Sequence, residues 1–226
     1  MKLYDEVLTG TFLRRPNRFI AHVQTENGIE ICHVKNTGRC AELLVPGAEA
    51  TLAVGKNPGR KTRCDLVAVQ KGDLYINMDS QAPNQAAAEA LPRLFPGLSM
   101  LKPEAVFGAS RLDFYLEQGE KKTFVEVKGV TLEENGMALF PDAPTERGVK
   151  HLKELENCLR EGFGAAVLFV VQMKGVTCFA PNRKTHPAFA DALIHAKENG
   201  VQVMAYDCDV EPDSMTMRDP VPIRLS

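Results

Sequence analysis

Over the first eighty residues, apolar and polar positions alternate in short runs, each closed by a turn-forming pair. The runs cover residues 11–25 (broken at Pro16-Asn17), 29–34, 49–54, 63–70 and 73–78, separated by Asn27-Gly28, Pro46-Gly47, Pro58-Gly59 and Lys71-Gly72. Alternation of period two between such breakers predicts strands. Five short strands in about 70 residues predict a small barrel of the OB type.

From Ala82 the pattern changes. Ala86-Ala87-Ala88-Glu89-Ala90-Leu91 is strongly helix-forming and stops near Pro96-Gly97. Strands are predicted over 111–117 and 123–130, with a third, short one at 137–140. A helix follows, with Thr145 as N-cap after Pro144 and Leu152, Leu155 and Leu159 along one face. The unbroken apolar run 165–171 predicts a strand covered on both faces. A helix over 187–199 and a strand over 201–206 end the pattern. The order α-β-β-β-α-β, then α-β, predicts a mixed sheet sandwiched by helices. The fold class expected is therefore α+β, with a barrel domain at 1–80 and a sandwich domain at 81–226.

The candidate chemistry lies on the hairpin 111–130. A two-residue turn at Gly119-Glu120 would place Asp113 opposite Glu126. Opposed side chains sit about 4.5–5.5 Å apart at Cβ, and like charges there destabilise the pair. A shared proton or a cation resolves the conflict, and Mg²⁺ or Mn²⁺ is the simplest cation. Lys128 shares the face of Glu126 and suits a phosphate or a developing negative charge. Glu104 could reach the same site from the preceding segment. The pattern D…E-x-K is weak on its own, and a solvated hairpin face is the competing reading.

Composition narrows the classes. No run of 18 apolar residues and no signal-like N-terminus occurs, which points to a cytoplasmic chain without a membrane partner. Six cysteines without C-x-x-C spacing speak against a disulfide framework or a zinc site. Phosphate-loop, dinucleotide and serine-elbow motifs are absent. His22, His33, His186 and His195 have no spacing partners and read as structural or exposed.

The formal net charge of −2 hides a polarised distribution. Between Gly10 and Arg63 there are nine Lys/Arg against four Glu and no Asp. The cations gather in two loops, Arg14-Arg15 with Arg18, and Lys56, Arg60, Lys61 and Arg63 around Pro58-Gly59. Both suit phosphate contacts, and a merely solvated tip remains the alternative. On the helix after Pro144, Arg147, Lys150, His151 and Glu154 share one polar face. Facing the carboxylates, Arg147 and Lys150 would contact phosphate and His151 could transfer a proton; facing solvent, they are an ordinary charged stripe.

The core order with Asp113 and Glu126-Val127-Lys128 resembles the PD-(D/E)xK nuclease superfamily. The full chain resembles the sugar fermentation stimulation protein A family. The resemblance is carried by Arg18-Phe19-Ile20-Ala21, His33-Val34-Lys35-Asn36-Thr37-Gly38-Arg39, Asn57-Pro58-Gly59-Arg60-Lys61-Thr62, Gly108-Ala109-Ser110-Arg111-Leu112-Asp113-Phe114, Val125-Glu126-Val127-Lys128-Gly129-Val130-Thr131-Leu132 and the stretch 140–152, beginning Phe140-Pro141-Asp142-Ala143-Pro144-Thr145. It implies an OB-like DNA-binding domain, a nuclease-like domain, non-specific DNA binding and a role in regulating sugar, particularly maltose, metabolism. Carried over, Asp113 and Glu126 become metal ligands and Lys128 the charge stabiliser; the Val127 carbonyl is expected as a further ligand. Glu104 matches a family acid, and Arg39 joins the DNA-contacting set. The expected function is DNA binding with little sequence specificity plus a metal-dependent phosphodiesterase site. The alternative is a DNA-binding regulatory factor that does not cut, and a second copy of the chain is a further candidate partner.

Overall fold

The computed structural model describes residues 1–226 apart from Thr37, Pro58 and Ser226. Pro58 of the second basic loop and Thr37 of the segment 33–39 therefore lie outside the described residues.

The alternating runs form β1 (Val7–Asn17), β2 (Ile20–Thr25), β3 (Gly28–Val34), β4 (Glu49–Val54), β5 (Cys64–Lys71) and β6 (Leu74–Asn77). They lie in the order β3-β2-β1-β4-β5-β6, and a parallel pairing of β3 with β5 closes the first five into a barrel. The inward residues of the alternation (Phe12, Val23, Leu52 and Leu66 among them) fill its interior. This is the OB-like barrel the sequence predicts.

The second half comprises α1 (Ala82–Leu94), β7 (Met100–Phe107), β8 (Ser110–Gln118), β9 (Lys121–Val130), β10 (Leu132–Glu134), β11 (Met137–Phe140), α2 (Glu146–Arg160), β12 (Gly164–Val171), β13 (Cys178–Pro181), α3 (Pro187–Glu198), β14 (Gln202–Glu211) and β15 (Ser214–Pro220). The main sheet runs β15-β14-β12-β9-β8-β7. Its centre is parallel, β9 beside β12 beside β14, and both edges are antiparallel. Every residue from Ala165 to Val171 is buried, as expected of a strand covered on both faces. Helix α1 packs Ala86 and Leu91 against Val125, Val127, Leu168 and Val170 on one face. Leu152 and Leu155 of α2 and Leu193 of α3 join Val167 and Phe169 on the other.

One expected strand belongs elsewhere. Met137–Phe140 joins a separate three-stranded sheet, β10-β11-β13. The third strand of the α-β-β-β-α-β core is instead β7, which precedes the hairpin. It carries Pro103 and is largely exposed, as an edge strand permits, so no apolar alternation marks it.

Barrel and sandwich share one hydrophobic core: Phe12, Leu52 and Met78 belong to the same buried cluster as Leu152 and Phe169. The N–H groups of Leu3 and Tyr4 bond Asp213 O, which ties the first residues to the far sheet. The Tyr4 hydroxyl bonds Asp79, and Gln172 bonds Asn77 across the junction.

Candidate active site

The hairpin forms as the turn pair predicts, with Gly119 at φ +60°, the left-handed region in which glycine avoids the Cβ penalty. The β8–β9 ladder runs from Gln118–Lys121 to Phe114–Val125. The expected direct pairing of Asp113 with Glu126 would be its next rung. Instead, Asp113 Oδ2 accepts the backbone N–H of Val127 at 2.7 Å, and Oδ1 accepts from Asn84 Nδ2 on α1 at 2.8 Å. The strands part at the acidic residue, and its carboxylate takes up the N–H at the opening.

Glu126 is buried, at 2 % exposure. Its Oε1 accepts from Lys128 Nζ at 2.5 Å and from His151 Nδ1, while its Oε2 is buried with no partner among the described residues. Such an atom is costly in an apolar interior. Arg147 Nε lies 3.3 Å from His151 Nε2. These contacts are mutually satisfied by an imidazole carrying its proton on Nδ1 and accepting at Nε2.

The environment separates the two acids. Burial pushes the Asp113 carboxyl above its ordinary range and the Glu126 charge adds to this, against the Val127 N–H, Asn84 and Lys128. At Glu126 burial also acts to raise the value, but the hydrogen bond from His151 and the charge and hydrogen bond of Lys128 outweigh it and hold the carboxyl low.

The structure thus gathers Asp113, Glu126, Lys128, His151 and Arg147. His151 differs from expectation. It is buried behind Glu126 with both ring nitrogens engaged, which suits orienting that carboxylate rather than carrying protons to a substrate. Lys150 is exposed on α2. Glu104, at φ +51°, is exposed and pairs with Arg111 at 3.4 Å; it lines a shallow depression together with Asn84 and Asp113. Asn84 escaped the sequence reading. Its only signal is a polar amide in the first turn of an otherwise alanine-rich helix.

Several barrel cations differ from the expectation of open phosphate contacts. Arg15 donates to the carbonyls of Arg18, Asn36, Gly38 and Arg39, so its guanidinium braces three segments. Arg60 pairs with Asp65 beneath Gly55, Arg63 with Glu30 at 3.1 Å and Lys56 with Asp5 at 2.6 Å. Arg14 Nε contacts His22 Nδ1 at 3.4 Å. Lys61 and the Arg39 side chain are exposed, and the Arg39 N–H bonds Asp142 Oδ2 at 3.0 Å. Arg18 stands over the Phe19 ring at 5.8 Å. Among the described residues, no helix is long and apolar enough to cross a membrane.

Residues 13–78 match the model of the SfsA N-terminal OB domain, and residues 81–214 that of the sugar fermentation stimulation protein RE domain. A sugar fermentation stimulation protein homolog of Clostridium beijerinckii is 53% identical over 224 residues, covering 98% of this chain and 99% of the relative. One from Desulfitobacterium hafniense is 54% identical over 223 residues, 98% of each. Among solved structures, that of Pyrococcus furiosus SfsA in complex with Ca²⁺ superposes with a TM-score of 0.88 at 30% identity, covering 99% of both chains. With both halves of the chain matched and full-length relatives at this identity, the chain belongs to the sugar fermentation stimulation protein family.

Proposed function

We propose that this chain binds DNA with little sequence preference and cuts its phosphodiester bonds with the help of a divalent cation. The observation that carries the reading is the buried Oε2 of Glu126, unpartnered among the described residues, beside the desolvated Asp113. Two carboxylates from parting strands, one with an oxygen left open, fit a hard cation of the Mg²⁺ or Mn²⁺ kind. Among the described residues no third acid, histidine or cysteine completes a metal cluster. Backbone, water or phosphate oxygens would therefore supply the remaining donors, as is usual for Mg²⁺. The Val127 carbonyl is the nearest backbone choice, because the N–H of the same residue already faces Asp113. The Pyrococcus furiosus relative is described in complex with Ca²⁺, a cation of the same oxygen-seeking class.

When bound, the cation would supply Lewis acidity to the phosphoryl group and acidify a water. The chain's residues do the rest. Asn84 and the Val127 N–H hold Asp113 in one orientation; His151, backed by Arg147, does the same for Glu126. Lys128 places an ammonium where charge builds on the phosphate in the transition state. The exposed cations Arg14, Arg18, Arg39 and Lys61 of the barrel, with Lys150 of α2, would contact the backbone of the nucleic acid, which positions it without reading its sequence.

The test is Mg²⁺- and Mn²⁺-dependent cleavage of labelled single- and double-stranded DNA by the full chain and its Asp113→Ala variant. Cutting lost in the variant supports the reading, and equal cutting by both sinks it. The second reading, a regulatory DNA-binding factor that does not cut, is favoured by the close Lys128–Glu126 pair, which offsets the Glu126 charge without a metal. Salt-sensitive binding with no cleavage under either cation would select it.

A further inference from the structure

Near the end of β9, the barrel and the sandwich line a cavity of about 360 Å³, bordered by Gly129. Gln172, at 1 % exposure, lies at its depth, and Arg18 stands at its solvent side. The depth is built. Gln172 Nε2 donates to Asn77 Oδ1 at 3.0 Å and to Asp79 O at 3.1 Å, which turns Oε1 towards Gly129. A Cβ on Gly129 would stand 2.5 Å from that oxygen, so the floor requires a glycine. On one wall Asp142 is fixed through Oδ2 by the Arg39 N–H, and Phe140 and Pro141 add an apolar surface.

These features define a ligand. Asp142 Oδ1 and Gln172 Oε1 are acceptors, and the carboxylate repels an anion at this depth. A flat group with N–H donors on its edge and apolar faces fits, with its negative charge left outside near Arg18. Pockets of this size hold small ligands. A base pair within a duplex does not enter one; an extruded or unpaired base does, read along its Watson–Crick edge and packed between apolar side chains.

We propose that this cavity takes one unpaired nucleobase bearing amino donors, guanine in preference to thymine, so that the strand reaches Lys128 single-stranded or from a frayed end. Guanine offers N1–H and N2–H₂ to a carboxylate, whereas thymine offers one N–H between two carbonyls. The inference rests on the phosphodiesterase reading for its substrate, but the cavity is tested without cleavage.

The experiment is calorimetry in EDTA, titrating dGMP and dTMP into the full chain and into Asp142→Asn, Ser80→Tyr and Asp113→Asn. Ser80 borders the cavity from its exposed edge, so tyrosine there fills the space without touching the core. The wild type should bind dGMP about tenfold more tightly than dTMP, the scale of one base-edge contact. Asp142→Asn should erase that preference, Ser80→Tyr should weaken both ligands, and Asp113→Asn should change neither. Melting curves check that each variant folds; if Asp142→Asn does not, Ser80→Tyr decides alone. No dGMP binding at millimolar concentration, or unchanged affinity in Ser80→Tyr, overturns the proposal. Mn²⁺-dependent cleavage without mononucleotide binding would remove the cavity site and keep the phosphodiesterase. Mononucleotide binding without cleavage under Mg²⁺ or Mn²⁺ would keep the cavity site and remove the phosphodiesterase.

Discussion

The barrel and the sandwich treat charge in opposite ways. In the barrel, many of the residues that make its loops look basic are occupied at home: Arg15 by four carbonyls, Arg60 by Asp65, Arg63 by Glu30 and Lys56 by Asp5. In the sandwich, fewer charges are present at the site, yet Glu126 keeps a buried oxygen without a partner among the described residues and Asp113 is desolvated beside it. Exposed ion pairs are worth little and rearrange readily, whereas a buried, uncompensated acceptor persists only if something else gains from it. Lone buried atoms without a partner among the described residues occur in the barrel as well, at Arg15 Nε and Glu42 Oε1, so what sets the candidate site apart is such a defect, an oxygen beside a second desolvated acid, not a surplus of cations.

The largest test of the contrast is at the defect. Asp113→Ala should lower metal-dependent cleavage by at least about a hundredfold while metal-free DNA affinity stays within about threefold, since phosphate contacts carry binding. Filter binding beside a cleavage assay separates the two. Lys128→Met should cost about a hundredfold in cleavage. A loss confined to the rate at saturating DNA would identify the ammonium as acting on the transition state.

Stability gives a finer contrast. His151→Ala removes a donor from a buried carboxylate and should destabilise the chain by about 3 kcal/mol in urea unfolding. Arg15→Ala should cost about 2 kcal/mol, because four carbonyls lose a charged donor, without altering the salt dependence of DNA binding. Lys61→Ala should do the reverse, leaving stability intact while the slope of log K against log[salt] falls by about 1. A salt slope that changed with Arg15 and not with Lys61 would invert the assignment of strut and contact.

The smallest effect tests the sign of the defect. With EDTA present, Asp113→Asn should raise the melting temperature slightly at neutral pH, since it removes a desolvated charge facing Glu126 and can keep both hydrogen bonds if the Asn84 amide turns. The folded Asp113 carboxyl titrates above its unfolded value, so the folded state holds the extra proton between the two. The penalty is therefore complete above the folded value and absent below the unfolded one. The gain from Asn should fade as the pH falls through the ordinary carboxylate range, and thermal melts across that range would show it.

Legibility followed how local each cause is. Strand β4 has the bounds that its breakers imply, β12 is declared by an unbroken apolar run, and Thr145 caps α2 by accepting from the Gly148 N–H at 3.0 Å. The Asp113–Glu126–Lys128 neighbourhood was legible too, because a tight hairpin converts sequence spacing directly into register. Other features depend on partners distant in sequence. Strand β7 is an edge with an interior proline; β13 pairs, among the described residues, with β11 and, through a bridge, with Ile223. Nothing near Arg15 announces four carbonyls gathered from two loops, and the apolar face marked by Leu152 and Leu155 does not say that the neighbouring His151 meets Glu126.

The shared core has a consequence for how the molecule comes apart. Phe12 of the barrel and Phe169 of the sheet belong to one buried cluster, and the strand of chain before β1 is pinned to Asp213 while Asn77 is pinned to Gln172. Although two separate family models match its halves, the molecule is expected to melt in a single cooperative step. A barrel expressed alone would expose a hydrophobic flank and aggregate, so the two halves are not interchangeable parts that could be recombined with other partners.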